Sequence, residues 1–299
     1  MNTATAKQKA QPAPPVKPNG NGTSVSANRM NLESISHEIV KCPPRTLLYG
    51  IDGIGKSTFG ANSKKPIFIC CEDGATRLDV PKFPLCQNWQ DVFGCLITLG
   101  QEKHDYQTLV IDSIDWGQAL AIQHCIKNEF EGDVASFEAY GKGYKSVLQE
   151  MRKLLAFMDR LHKVKQMEVL LIAHAAVKTF QNPNGDNYDR YQSNLIDSPN
   201  TSIWGLVKEW CDIVLFANFQ VMIRKANKKA AKGKGVLVDG EHGSRLCHAA
   251  PSAAWDAKVR AGWNLPSVFA LKYDVFDSYV RGEKEVETET ETETEEAVI

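Results

Sequence analysis

Five short apolar runs punctuate the middle of the chain: Thr46 to Tyr49, Pro66 to Cys71, Thr108 to Ile111, Glu168 to Ala173 and Asp212 to Phe216. Each is nearly all apolar rather than alternating, which is the pattern of a strand covered on both faces. Longer helical stretches separate them. The clearest runs from Lys142 to Val164, where Val147, Met151, Leu154, Leu155, Met158 and Leu161 recur mostly at steps of three or four. Such alternation predicts an α/β fold, a mainly parallel sheet with helices on both faces. After Asn218 the pattern loosens. Val221 to Ile223 and Val236 to Val238 are candidate strands flanking a basic segment, and this second part is a candidate antiparallel extension of the same sheet.

The two ends of the chain lack such patterning. Residues 1–40 interleave Pro12, Pro14, Pro15 and Pro18 with small and polar residues and hold no aromatic side chain, so they read as a disordered leader. Residues 283–299 are largely a Glu-Thr repeat whose like charges must stay solvated, an acidic disordered tail. The expected folded unit is therefore 41–282. No apolar run approaches the roughly 20 residues that span a bilayer, and the first 30 residues lack a signal-peptide core, so no membrane partner and a cytoplasmic location are expected.

The net charge of −1 from 35 basic and 36 acidic residues conceals a segregation. The tail holds eight Glu and one Lys, or −7, which leaves 34 basic against 28 acidic residues, or +6, on residues 1–282. A basic body with an acidic tail is compatible with a polyanion partner, with the tail acting in cis on that surface or recruiting a protein. The eight cysteines include no CxxC pair, and Cys70, Cys71 and Cys95 lie in apolar runs, which reads as buried thiols. His242, Cys247 and His248 form a weak ligand cluster without a fourth member at usable spacing.

The strongest motif is Gly50-Ile51-Asp52-Gly53-Ile54-Gly55-Lys56-Ser57, a GxxxxGK[ST] phosphate loop that directly follows an apolar run and leads into the helix-compatible Thr58-Phe59-Gly60-Ala61. Its glycines let successive amides point at phosphate oxygens, Lys56 reaches the β- and γ-phosphates, and the Ser57 hydroxyl ligates Mg²⁺. ATP and Mg²⁺ are the expected cofactors. Asp112, closing Leu109-Val110-Ile111, is the candidate acid for the metal's water shell. Glu72 ends the second apolar run and is a candidate base for the attacking water, with Asp73 beside it a competitor. His174 follows Leu170-Leu171-Ile172-Ala173 in the same way. It is either a γ-phosphate sensor or a histidine satisfied by backbone.

With these strand-end positions named, the chain resembles the RecA-like P-loop recombinase ATPases, and in particular small phage-encoded members reduced to little more than the core. The resemblance runs from about Arg45 to Pro266. It is carried by the phosphate loop, Phe68 to Asp73, the Leu-Val-Ile-Asp-Ser run ending at Ser113, the helix around Met151 to Leu155 and Trp210 to Phe216. It implies a RecA-like α/β fold and ATPase activity, with Glu72 as the base and His174 where the family commonly has Gln. It also implies that Lys258 and Arg260, a Lys-x-Arg pair, reach a neighbour's ATP site in a ring or filament. The loop after the fourth strand, 178–202, takes the place of a single-stranded-DNA contact, with Lys178, Tyr188, Arg190 and Tyr191 as candidates.

Arg224, Lys225, Lys228, Lys229, Lys232 and Lys234 add six basic residues in eleven, with no acid among them. The expectation is a DNA-stimulated ATPase acting in recombination or single-strand annealing. A helicase-like motor and a nucleotide-switched adaptor are the alternatives.

Overall fold

The computed structural model describes residues 32–35, 37, 42–224, 234–238 and 244–286. Two units divide the chain, 1–41 and 42–299. Of the first, the described residues show one 3-10 turn, Leu32–Ser34. The leader's other residues, the tip of the basic segment and the tail from 287 onward lie outside the described residues.

The second unit is built on five parallel strands, β1 (Arg45–Gly50), β2 (Pro66–Cys70), β3 (Thr108–Asp112), β4 (Glu168–Phe180) and a strand from Ile213 to Phe219, which is β8 once the short strands β5 (Tyr188–Ser193), β6 (Asp197–Ser198) and β7 (Thr201–Ser202) are counted. All five apolar runs are strands. In space the parallel strands lie in the order β8-β1-β4-β3-β2. The phosphate-loop strand is thus separated from the Asp112 strand by β4, and the register sets Gly50 beside His174 and Asp112 beside Ile172.

Period-two alternation divides these strands between two cores. Leu47, Tyr49, Ile67, Ile69, Leu109, Ile111, Val169, Leu171, Val214 and Phe216 face one side, and Leu48, Phe68, Val110, Leu170, Ile172, Ile213 and Leu215 the other. The first core is covered by α2 (Trp89–Gln101), α3 (Ile114–Glu129), α4 (Val134–Glu138), α5 (Lys142–Lys165) and α6 (Ile203–Trp210). The second is covered by α1 (Lys56–Ala61) and α7 (Tyr273–Val280), through Phe59, Tyr273 and Phe276. In α5 the predicted stripe Val147, Met151, Leu154, Leu155, Met158 and Leu161 is buried throughout.

An antiparallel extension completes the sheet on the β8 side: β11 (Arg245–His248) and β12 (Lys258–Val259) pair with β8, and β13 (Val268–Ala270) pairs with β11. The two strands expected to build this extension do something else. β9 (Val221–Arg224) and β10 (Lys234–Leu237) pair with each other as a separate two-stranded sheet. They carry the basic segment between them, and Val221 and Met222 are exposed rather than packed on the main sheet. β4 also outruns the core. Beyond His174 it pairs, among the described residues, with β5 in an antiparallel hairpin. Among the described residues, no helix is long and apolar enough to cross a membrane.

Candidate functional site

β1 delivers the chain to Gly50, where a side chain would force the strands to shift: a Cβ would lie 2.4 Å from the Ala217 carbonyl oxygen of β8. The loop then turns through Gly53 and Gly55 at φ of +70° and +105°, left-handed conformations that glycine adopts without steric cost. Ile54 anchors the loop in the core, while Asp52 and Gly53 are exposed, as is Thr58 at the start of α1. Lys56 is buried, and its ammonium donates to the carbonyls of Gly50 and Ile51, each at 3.0 Å. Burial lowers its pKa against the pull of Asp52, Asp112, Asp115 and Glu72. A cation so surrounded is poised to exchange two carbonyls for phosphate oxygens.

Asp112 is buried at the end of β3, where desolvation raises its pKa and a hydrogen bond from Ser57 opposes that rise. Its Oδ2 has no hydrogen-bond partner. A desolvated carboxylate with an orphaned oxygen, beside a hydroxyl, fits a divalent cation: Ser57 and Asp112 are the residues that would hold Mg²⁺. Among the described residues no cluster of three His, Cys, Asp or Glu side chains could hold a metal. His242 lies outside those residues, Cys247 is buried in β11, and His248 packs at a tilt on Trp255, ring centroids 4.2 Å apart, while its Nε2 meets Asn218.

Glu72, just past β2, faces inward, with its Oε1 3.7 Å from His174 Nε2. Burial raises its pKa, partly offset by Ser113 and His174. Its competitor Asp73 is exposed and accepts the hydroxyl of Thr76 within its own turn. His174 is held from behind: Asp115 takes its Nδ1 at 2.9 Å and its backbone N–H at 3.2 Å. That hydrogen bond raises the His174 pKa against the effect of burial. Nε2 is left directed toward Glu72 and, at 3.9 Å, Asp52. Asp115 escaped the sequence reading, and the available signal was an acid in the first turn of the helix that opens right after Asp112. A crevice of about 460 Å³ adjoins this group, lined by Asp52, Asp115, Trp116, His174 and Asn194 among others, with Trp116 half exposed at its side.

The profile of the AAA domain family matches residues 43–261, which takes in the phosphate loop, Glu72, Asp112, Asp115 and His174. The chain belongs to the AAA domain family. Among solved structures it is similar to the RadB recombinase, at 12% identity and a TM-score of 0.39, over 69% of this chain and 80% of that one. No curated protein matches it. In this AAA domain the phosphate loop follows β1, with His174 of β4 on one side of Gly50 and Ala217 of β8 on the other.

The remaining candidates of this AAA domain are placed differently from the phosphate site. Lys258 lies opposite Val214 and Arg260 donates its backbone N–H to Asp212, at the start of β8 and so at the sheet edge opposite the phosphate loop. Lys258 donates to the Lys208 carbonyl at 2.5 Å. Arg260 donates to the Glu209 carbonyl and pairs with Asp212 at 3.2 Å. Within the protomer the pair therefore satisfies the last carbonyls of α6, the site where a helix end attracts cations.

The β4–β5 hairpin also engages its own candidates. Lys178 donates to the Ser193 and Leu195 carbonyls. Arg190 lies over the Phe180 ring at 5.2 Å and near Asp256 at 3.7 Å. Tyr188 packs on Phe180, and Tyr191 stacks on Phe216. Lys228 and Lys229 lie outside the described residues.

Proposed function

We propose that this AAA domain hydrolyses ATP with Mg²⁺ and does so on single-stranded DNA, as a recombination or strand-annealing ATPase. The observation that carries the ATPase reading is the convergence of Glu72, Asp112 and His174 from three neighbouring strands on the Lys56 loop. In this mechanism Lys56 and the loop amides bind the triphosphate, and Mg²⁺, when bound, neutralises charge on its β- and γ-phosphates. Glu72 has the inward position and raised pKa suited to taking a proton from the attacking water. His174, whose pKa the Asp115 hydrogen bond raises, offers Nε2–H in its protonated form to charge developing on the γ-phosphate. Asp115 acts through His174, orienting its ring and raising its pKa.

The DNA part rests on composition and placement. Arg224 and Lys234 are paired on β9 and β10, which follow β8 past its C-terminal end, the end that carries the phosphate loop on β1, and the sequence between them adds four Lys and no acid. The internal engagement of Lys178, Arg190 and Tyr191 makes the basic segment 224–234 the stronger DNA candidate. Homo-oligomers joined through ATP interfaces belong to the same reading.

The test is ATP turnover with and without single-stranded DNA over a salt series, for the native chain, Lys56→Ala and Glu72→Gln. Glu72→Gln should bind ATP normally and lose at least about a hundred-fold in turnover, Lys56→Ala should lose binding, and DNA should accelerate the native chain at low salt. Unchanged turnover in Glu72→Gln would overturn its role. A native ATPase indifferent to DNA at low salt would remove the recombination reading and leave the adaptor.

A further inference from the structure

Arg245 opens β11, outside every motif read from the sequence, and its side chain is exposed. Strand pairing sets it opposite Phe219, just past Ala217, the residue that flanks Gly50. The guanidinium reaches back from there onto the phosphate loop. A methyl group at residue 55 would lie 2.9 Å from its Nη1 and 3.9 Å from its Cζ. On its other side it lies over the Phe219 ring at 5.9 Å. Among the described residues no carboxylate pairs with it. A fork of N–H donors therefore rests against the loop whose amides hold phosphate, braced by an aromatic ring and, among the described residues, without an internal counter-charge.

The strand order fixes which end of a nucleotide this fork meets. Glu72, Asp112 and His174 belong to β2, β3 and β4, all on one side of β1, whereas β8 and β11 lie on the other. A triphosphate with its γ-phosphate beside Glu72 and His174 must run past Lys56 with its α-phosphate and nucleoside toward β8 and β11. We propose that Arg245 is a nucleotide-binding residue that grips the α- and β-phosphates from the β11 side, with Phe219 holding the guanidinium plane. The assignment rests on the loop being an ATP site. Guanidinium geometry suits two phosphate oxygens at once, which lysine's single ammonium cannot reproduce. Those phosphates are present before and after γ-phosphate loss, so the contact binds substrate and product alike and should move KM rather than kcat.

The experiment measures ADP affinity by calorimetry and steady-state ATP turnover for the native chain, Arg245→Ala and Arg245→Lys, with nucleotide-free thermal unfolding of each. Arg245→Ala should weaken ADP binding about ten-fold and raise KM for ATP by the same factor, with kcat within two-fold. Arg245→Lys should recover part of the loss, and all three should unfold at the same temperature. Native affinity for ADP in Arg245→Ala, or a fall in kcat at unchanged KM, would overturn the assignment while leaving the ATP reading intact. A native chain that binds neither ADP nor ATP would overturn both.

Discussion

At the residue scale the site turns on one proton. His174 has its pKa raised chiefly by the Asp115 hydrogen bond, with burial opposing. Because the folded value lies above the unfolded one, the pair's contribution to stability is complete below the ordinary imidazole range and fades as pH rises through the folded value. Glu72, raised by burial, must lose its proton to serve as base. Turnover should therefore rise with pH as Glu72 ionises and fall as His174 deprotonates.

Asp115→Asn should shift the falling limb to lower pH and cut kcat at pH 8 by ten-fold or more, with ATP affinity unchanged. A pH–rate profile superimposable on the native one would remove His174 from the chemistry. Glu72 and His174 were legible in the sequence because each closes an apolar run, and parallel strands end along one edge. Asp115 was not, because the 2.9 Å contact with His174 spans 59 residues and exists only once α3 packs against β4.

At the scale of elements, the close approach of β1 and β8 decides where the loop sits. Gly50 has the Ala217 carbonyl against it, and Ile51 donates its N–H to that same oxygen. Gly50→Ala should force the strands apart, costing roughly 1–3 kcal/mol as overpacking does. It should also weaken ATP binding, since the displaced residues begin the loop. Thermal unfolding and ADP titration check both, and native values in each would mean that the strands yield freely.

The five parallel strands were legible because burial on both faces forces apolar runs. The short strands were not. β12 has two residues and β11 is Arg-Leu-Cys-His, and such segments are strands only because β8 offers an unpaired edge. The same logic applies to β9 and β10, whose apolar residues suggested membership of the main sheet although among the described residues they pair with each other.

At the scale of the molecule, Glu168 ties the sheet to α7. It is buried at the start of β4 and accepts the Tyr273 hydroxyl at 2.6 Å, and burial raises its pKa to about 7. An acid with a folded pKa above the unfolded value costs nothing while protonated in both states. Its penalty grows as pH rises between the ordinary carboxylate range and the folded value. Stability should therefore fall by an amount on the order of 3 kcal/mol across that window, and Glu168→Gln should flatten the dependence in urea titrations at pH 5 and pH 8. Equal pH dependence in the two proteins would contradict the burial of that carboxylate.

The sequence by itself determined the α/β class, the parallel strands, the α5 stripe and the phosphate loop with its strand-end acids. These are local patterns, set by burial period and by the steric needs of a tight glycine turn. Tertiary structure alone decided that Asp115 holds His174, that Lys258 and Arg260 close the end of α6, that the β4–β5 hairpin packs its own aromatics and cations, and that Arg245 lies on the phosphate loop. Each is a meeting of side chains far apart in sequence, and no spacing along the chain records which strand becomes whose neighbour.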